Sequence, residues 1–294
     1  MYAFEFERPK TIAEAVAALG DEDAQPLSGG QTLIPTLRAR LAMPSTLVSL
    51  AGVEEMKGIR QEGNSLWIGG ASVHADVCEA TRSSYPGLSA LVGKIGDPAV
   101  RNRGTIGGSI ANNDPAACYP AAALASGGTI VTNAREVAAD DFFLGMFTTA
   151  LEEGEIVTAV KLTIPEASNY QKFEQPASRF PLVGVFVAKH ADGVRVAITG
   201  ASNGGVFRWT EAETALSSNF SADALSRPQA KPRARPQEGP APAGSSITRP
   251  PSDRPGTDSP GMRHQGSVVW DVTAGPHARS VRPIAGPRRH GRRR

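Results

Sequence analysis

The chain has 294 residues, enough for two domains, and its formal net charge of +2 is the sum of an acidic and a basic part. Residues 1–225 carry 17 Lys and Arg against 25 Asp and Glu, whereas residues 226–294 carry 14 against 4. With no long apolar run, no signal-peptide pattern and only two cysteines, Cys78 and Cys118, the sequence argues against a membrane span, secretion and a metal or iron–sulfur site. We therefore expect a cytoplasmic protein whose redox chemistry, if any, uses a bound organic cofactor.

The first 50 residues predict a small β/α unit. AFEFE alternates like a strand, and TIAEAVAALG predicts a helix in which Thr11 and Glu14 form a capping box and Gly20 lies past the end. QPLSGG predicts a second short strand that runs into glycines, TLIPTLRARLA a second helix or turn, and STLVSL a third strand.

The next part of the chain predicts an irregular α+β arrangement. The expected strands are SLWIGG, TIVTNA and EIVTAVKLTIP, and the expected helices are VHADVCEAT, PGLSALVGKIG and PAAALASGG, with a glycine-rich loop GTIGGSIANNDPAA between the second and third helices. Because strands and helices do not alternate regularly, a doubly wound parallel sheet is disfavoured.

From Tyr170 the pattern predicts an antiparallel hairpin, LVGVFVAKH and VRVAITGAS joined at Asp192 and Gly193, followed by a helix from Thr210 to Leu216. Residues 226–294 then contain 13 Arg, 12 Pro and 8 Gly, so we expect them to be disordered. This tail is either a basic segment for nucleic acid or membranes, or the product of a shifted reading frame in GC-rich DNA; the dispersed charges favour the second.

Two glycine pairs share a local context. LSGGQTLIP and GTIGGSIANNDPAA each place two glycines beside small hydroxyl residues, Ser28 and Thr32 in the first and Thr105 and Ser109 in the second. Glycines allow main-chain N–H groups to converge on phosphate oxygens, and the hydroxyls add donors, so the two loops could face one another across a diphosphate. Taken singly, each pair is weak evidence and is better explained as a tight turn with positive φ; the matched pair favours the diphosphate.

Four ordered motifs carry a resemblance to a known family. RPKTIAEAVAAL, PLSGGQTLIP, IGDPAVRNRGTIGGSIANNDPAA and FFLGMFTTALEEGEIVTAVKLTIP resemble the FAD-binding medium subunit of molybdenum hydroxylases, the aerobic carbon monoxide dehydrogenase and xanthine dehydrogenase family. The resemblance implies an α+β fold of the vanillyl-alcohol-oxidase type. Its FAD-binding sub-domains would span residues 1–55 and 56–168, with a truncated flavoprotein C-terminal domain at 169–225 and the tail at 226–294.

The resemblance also implies cofactor-binding residues. The first pyrophosphate loop would comprise Ser28, Gly29, Gly30, Gln31 and Thr32, and the second Thr105, Ile106, Gly107, Gly108 and Ser109, with Ile95 lining the cofactor just upstream. Asp114 would contact the ribityl or adenosine part, or only form an Asx turn before Pro115. Lys172 would lie at the polar edge of the flavin ring, or be a solvated strand lysine.

Four further side chains are assigned an expected environment. Cys118 stands where many relatives have an acidic residue that contacts FAD, so it is interpreted as a small buried cysteine. Phe180 would lie near the flavin ring or, as an ordinary phenylalanine, in the core. His74 and His190 are interpreted as surface or helix-end histidines.

The resemblance implies an oxidoreductase subunit that works with two partners, a small [2Fe-2S] subunit and a large molybdopterin-binding subunit. It would pass electrons from the clusters through FAD to an external acceptor, NAD or a quinone; no nucleic acid partner is expected. One alternative is a stand-alone flavin oxidase, with His74 or Cys118 available for a covalent flavin link. Another is an inactive or assembly protein, because a replaced C-terminus would leave apolar faces of the 182–200 hairpin without partners.

Overall fold

The computed structural model describes residues 1–225, which form three units, each built on a sheet of three to five strands, together with a separate two-stranded hairpin. The predicted tail, residues 226–294, lies outside the described residues. Helices and strands follow one another in an irregular order, so the predicted α+β class is confirmed. Within residues 1–225, no helix combines the length and the hydropathy needed to cross a bilayer.

The first unit is a three-stranded parallel sheet with the strand order β1-β3-β2. Its elements are β1 (Glu5–Glu7), α1 (Ile12–Ala18), β2 (Ala24–Leu27), α2 (Leu33–Arg38) and β3 (Thr46–Ser49), followed by short 3₁₀ turns at Leu50–Gly52 and Glu54–Met56. As predicted, the Thr11 hydroxyl caps α1 by accepting from the Glu14 N–H at 3.1 Å. The Glu14 carboxylate accepts from the Lys10 N–H at 2.7 Å instead of closing the box on Thr11.

The second unit is a five-stranded antiparallel sheet with the order β4-β5-β10-β6-β7. Its strands are β4 (Ile59–Glu62), β5 (Ser65–Gly69), β6 (Thr129–Thr132), β7 (Glu136–Ala138) and β10 (Val157–Thr163), and the hairpin is β8 (Phe143–Gly145) with β9 (Thr148–Thr149). Its helices are α3 (His74–Ala80), α4 (Pro86–Gly93), α5 (Pro98–Arg101), α6 (Ile106–Asn112), α7 (Tyr119–Ala125) and α8 (Ala139–Phe142). The largest hydrophobic core lies between this sheet and its helices and continues into the third unit.

Helix α6 corrects the prediction for the second glycine motif. The motif was expected to be a loop, but it is helical from Ile106 to Asn112. The Thr105 hydroxyl caps the helix by accepting from the Gly108 N–H at 3.1 Å, and Ile106 and Ile110 are buried in the core. Tertiary packing of these two side chains outweighs the low helix propensity of the glycine pair.

The third unit is a four-stranded antiparallel sheet with the order β11-β12-β13-β14. Its elements are β11 (Ala167–Glu174), β12 (Pro181–His190), β13 (Gly193–Thr199), β14 (Phe207–Arg208), α9 (Thr210–Ser218) and a 3₁₀ turn at Ala222–Leu225. The predicted hairpin and the helix behind it are therefore confirmed.

Both faces of this hairpin are covered, so the expectation that its apolar residues lack partners is wrong. On one face Val187 and Val196 pack with Ala212 and Leu216 of α9. On the other face Phe186 belongs to the large core that also contains α7. Residues up to 225 thus already cover the hairpin on both faces.

Candidate functional site

One cavity of about 730 Å³ lies where the first two units meet the end of the β11–β12 hairpin. It brings together residues that are far apart in the sequence and come from all three units. Twelve of the predicted site residues line it: Ser28, Gly29, Gly30, Gln31, Thr32, Ile95, Thr105, Gly107, Gly108, Ser109, Asp114 and Lys172.

The two glycine motifs touch one another directly at this cavity. The hydroxyls of Ser28 and Thr105 are hydrogen-bonded at 2.8 Å. Gly29 packs so closely on the other motif that a Cβ added to it would overlap the carbonyl oxygen of Arg103 and lie 2.7 Å from Gly104 Cα. Glycine at position 29 is therefore required for the two motifs to close on each other.

The first motif presents unpaired main-chain donors. Within the described part of the chain, the N–H groups of residues 29–32 donate to no backbone or side-chain acceptor. Gly30 has a φ of +72°, a conformation that favours glycine, and the Thr32 hydroxyl does not cap the helix that follows it. Successive free N–H groups around such a turn form a concave site suited to an anion.

The second motif differs from the expectation, because its first main-chain N–H groups already donate hydrogen bonds to carbonyls of the protein. Ile106 donates to the Ser72 carbonyl at 3.2 Å and Gly107 to the Gly70 carbonyl at 2.9 Å. The expected set of open amides in this motif is therefore wrong. The side chain of Ile106 is 1 % exposed and lies in the hydrophobic core, so it does not line the cavity.

Gly108 and Ser109 also belong to the lining of the cavity. A Cβ on Gly108 would meet only Thr105 Oγ1 at 3.0 Å and Ser28 Cβ at 3.8 Å. The Ser109 N–H is taken up inside α6, while its hydroxyl makes no hydrogen bond within residues 1–225. The second motif thus offers a bare surface and a hydroxyl where the first offers N–H groups.

Asp114 and Cys118 continue the wall of the cavity. The Asp114 carboxylate accepts from the Ala116 N–H at 2.8 Å, so the Asx turn expected there is present. Cys118 is a free, buried cysteine, as expected. Burial raises the pKa of its thiol, and the positive charge of Lys172 opposes that shift.

Lys172 is enclosed, which corrects its interpretation as a solvated strand lysine. Its side chain is 1 % exposed and its Nζ donates to the Lys94 carbonyl at 2.6 Å. The carboxylate of Glu174 lies 3.9 Å away and is itself 41 % exposed. Lys172 thus places a buried ammonium group at the cavity wall, held by one close carbonyl acceptor and a long salt bridge to a partly exposed carboxylate.

For His74 and Phe180, one of the two interpretations drawn from the sequence is wrong. His74 was expected at a surface or a helix end; it begins α3, yet it is 5 % exposed and lines the cavity. Phe180, whose core interpretation is wrong, lines the same cavity and is 51 % exposed. No motif marks His74, because a single histidine in VHADVCEAT carries no spacing signal.

The buried imidazole of His74 makes stability depend on pH. Burial, and then the charge of Arg101, lower its pKa to about 4 from a usual 6.5. As the pH falls, this histidine takes up its proton in the unfolded chain before it does so in the folded chain. The stability that is present above pH 6.5 is therefore lost as the pH falls toward 4. We expect the free energy of unfolding to drop by about 2 kcal/mol between pH 7.5 and 5 from this group.

Urea unfolding at the two pH values measures this loss, and His74→Gln is expected to reduce the difference by about 2 kcal/mol. His190→Gln is the matched control, because His190 Nε2 is hydrogen-bonded to the Ala125 carbonyl at 2.9 Å outside the cavity wall. An equal pH dependence in the wild type and His74→Gln would contradict the assignment.

Comparisons with known proteins match this chain to one family. A family model described as the FAD binding domain in molybdopterin dehydrogenase matches residues 2–166. The carbon monoxide dehydrogenase medium chain of Hydrogenophaga pseudoflava is 35% identical over 67% of this chain and 74% of its own length. The glyceraldehyde dehydrogenase medium chain of Sulfolobus acidocaldarius is 32% identical over 71% of this chain and 79% of its own.

Solved structures show the same fold. The reconstituted carbon monoxide dehydrogenase from Oligotropha carboxidovorans superposes with a TM-score of 0.71 at 31% identity, covering 76% of this chain and 84% of the matched one.

Proposed function

The chain belongs to the family of FAD-binding domains of molybdopterin dehydrogenases, and from this premise we propose that it passes electrons from the [2Fe-2S] clusters of a partner subunit through FAD to an external acceptor. It is an oxidoreductase subunit and its cofactor is FAD. The observation that carries the proposal is the contact between the two glycine motifs at the wall of one cavity.

The residues present fit a dinucleotide with a diphosphate at its centre. The free N–H groups of residues 29–32 and the hydroxyls of Thr32 and Ser109 would hold the phosphate oxygens, and Gly108 leaves room for them. Lys172 would lie at the polar edge of the flavin ring, and Ile95 and Asp114 would line the rest of the cofactor. FAD, when bound, supplies a carrier that accepts one or two electrons.

Membership of the family implies two partner subunits. In that arrangement the iron–sulfur clusters would belong to a small subunit and the molybdenum cofactor to a large one, which is consistent with the two cysteines of this chain being too few for a cluster. The matched relatives are medium chains of dehydrogenases, which supports a heteromeric assembly. The substrate would be oxidised on the large subunit, and the acceptor would be NAD or a quinone. The domain boundaries at about residues 55 and 168 belong to the same proposal.

Replacing Lys172 by methionine is expected to lower the two-electron potential of the bound flavin. The buried cation stabilises added negative charge, and one charged hydrogen bond corresponds to about 30–60 mV in a two-electron couple. Reductive titration of the flavin-loaded chain measures the shift. Lys161→Met is the control, because Lys161 pairs with Glu136 at 2.5 Å outside the cavity; equal shifts in the two variants would contradict the role of Lys172.

Isolation of the tagged chain from its native host tests the proposed function. We expect FAD, iron and molybdenum to co-purify, acid precipitation to release the yellow colour from the protein, and the reduced complex to be reoxidised by NAD or a quinone. A yellow chain that purifies alone, keeps its flavin after denaturation and oxidises an organic substrate would overturn the proposal in favour of a stand-alone oxidase.

A further inference from the structure

His74 is a buried side chain whose position the proposed function does not yet use. The main-chain N–H of His74 donates to the Gly104 carbonyl at 2.9 Å, which fixes the start of α3 against the second glycine motif. Its ring also packs on this residue, because a Cβ at Gly104 would lie only 2.6 Å from Nε2. The next residue, Thr105, is hydrogen-bonded to Ser28 of the first motif. The imidazole therefore lies beside the junction of the two motifs.

The imidazole has no hydrogen-bond partner in the described part of the chain. Nδ1 is fully enclosed and unpaired, and no hydrogen bond of Nε2 is found within residues 1–225. The ring of Tyr119, at 5.3 Å between centroids, covers one side, and its hydroxyl is unpaired as well. A polar ring that is 95% buried needs a partner to offset its lost hydration, and the open side of His74 is the cavity.

The charges around His74 favour a negatively charged acceptor. Arg101, from the adjacent α5, is the charged side chain whose field acts on the imidazole, while Tyr119 of α7 is neutral because burial raises its pKa. Burial and Arg101 lower the pKa of His74, so the ring is neutral at pH 7 and can donate from one nitrogen. An anion next to it would also raise this pKa.

We propose that His74 donates a hydrogen bond from Nε2 to the diphosphate of bound FAD, an inference that rests on the proposed function. The neutral imidazole then supplies, from the side of the second motif, a donor that the occupied N–H groups of Ile106 and Gly107 do not provide. Its enclosure between Gly104 and Tyr119 keeps the ring in one orientation, so the donor is in place before the ligand arrives.

FAD titration of the full chain, combined with ³¹P NMR of the bound diphosphate, tests the proposal. His74→Phe keeps a ring but loses the donor, and we expect its Kd to rise about tenfold or more, with a changed ³¹P shift. His74→Gln, whose amide can donate from a similar position, should recover part of both. His190→Phe is the control and should behave as the wild type.

The possible outcomes distinguish a failure of the proposed function from a failure of the role proposed for His74. A wild-type chain that binds no FAD would overturn the proposed function itself. A wild type and a His74→Phe variant with equal Kd and equal ³¹P shifts would overturn only the role of His74. If both His74 variants fail to fold, wild-type protein labelled with ¹⁵N-histidine decides: adding FAD should shift the ring nitrogens of one histidine, and unchanged resonances would refute the hydrogen bond.

Discussion

Replacing Gly108 with valine is expected to abolish FAD binding while the chain stays folded. Gly108 is exposed toward the cavity, beside Ser28 and Thr105, where the two motifs meet. A branched side chain there occupies the space that the diphosphate needs. Valine is no worse than glycine in a helix, so we expect the free energy of unfolding to change by less than about 1 kcal/mol. Equilibrium titration with FAD, together with urea unfolding, measures both effects.

The matched control is Gly145→Val, a substitution of the same size at a glycine that has nothing within 4 Å of its Cβ position and lies outside the cavity. It should bind FAD like the wild type. Unchanged FAD affinity in Gly108→Val would show that the diphosphate does not approach the start of α6.

Replacing Gly29 with alanine is expected to weaken both the fold and FAD binding. The added methyl group would overlap the Arg103 carbonyl oxygen and crowd Gly104 Cα, which are main-chain atoms that cannot rotate away. The two motifs would have to separate, breaking the hydrogen bond between Ser28 and Thr105. We expect a loss of about 1–3 kcal/mol in the free energy of unfolding and at least tenfold weaker FAD binding.

Gly93→Ala is the control for this substitution, because its Cβ would lie at an ordinary 3.7 Å from Cys78 Sγ, at the end of α4. It should be as stable as the wild type or slightly more stable. If Gly29→Ala has the same free energy of unfolding and the same FAD affinity as the wild type, the site does not require close contact between the two motifs.

Much of the fold followed from local patterns, and the misses have specific causes. The β12–β13 hairpin was predicted because two valine-rich apolar runs flank an Asp-Gly turn. Helix α6 was missed because paired glycines disfavour helices, and only the burial of Ile106 and Ile110 compensates. Strand β11 was not assigned because ASNYQKFE has little apolar alternation; its pairing with β12 defines it.

The sequence predicted which residues line the candidate site better than it predicted which of their groups are free to bind a ligand. The glycine motifs identified residues that line one cavity, although they lie 77 positions apart at their contact. Which N–H groups are free could not be read from the sequence, because Ser72 and Gly70, remote in the chain, use those of Ile106 and Gly107. The burial of Lys172 depends on packing against Lys94 of another unit, and that of His74 on packing against Gly104 and Tyr119, which are remote in the chain; neither leaves a local pattern.

The most direct test of the account is a titration of the purified full-length chain with FAD, followed by absorption and flavin fluorescence. The two motifs meeting at one cavity predict saturable binding of one FAD per chain, with shifted visible bands and a flavin that remains bound through gel filtration. Spectra identical to those of free FAD at every ratio, with all flavin eluting apart from the protein, would contradict the central claim.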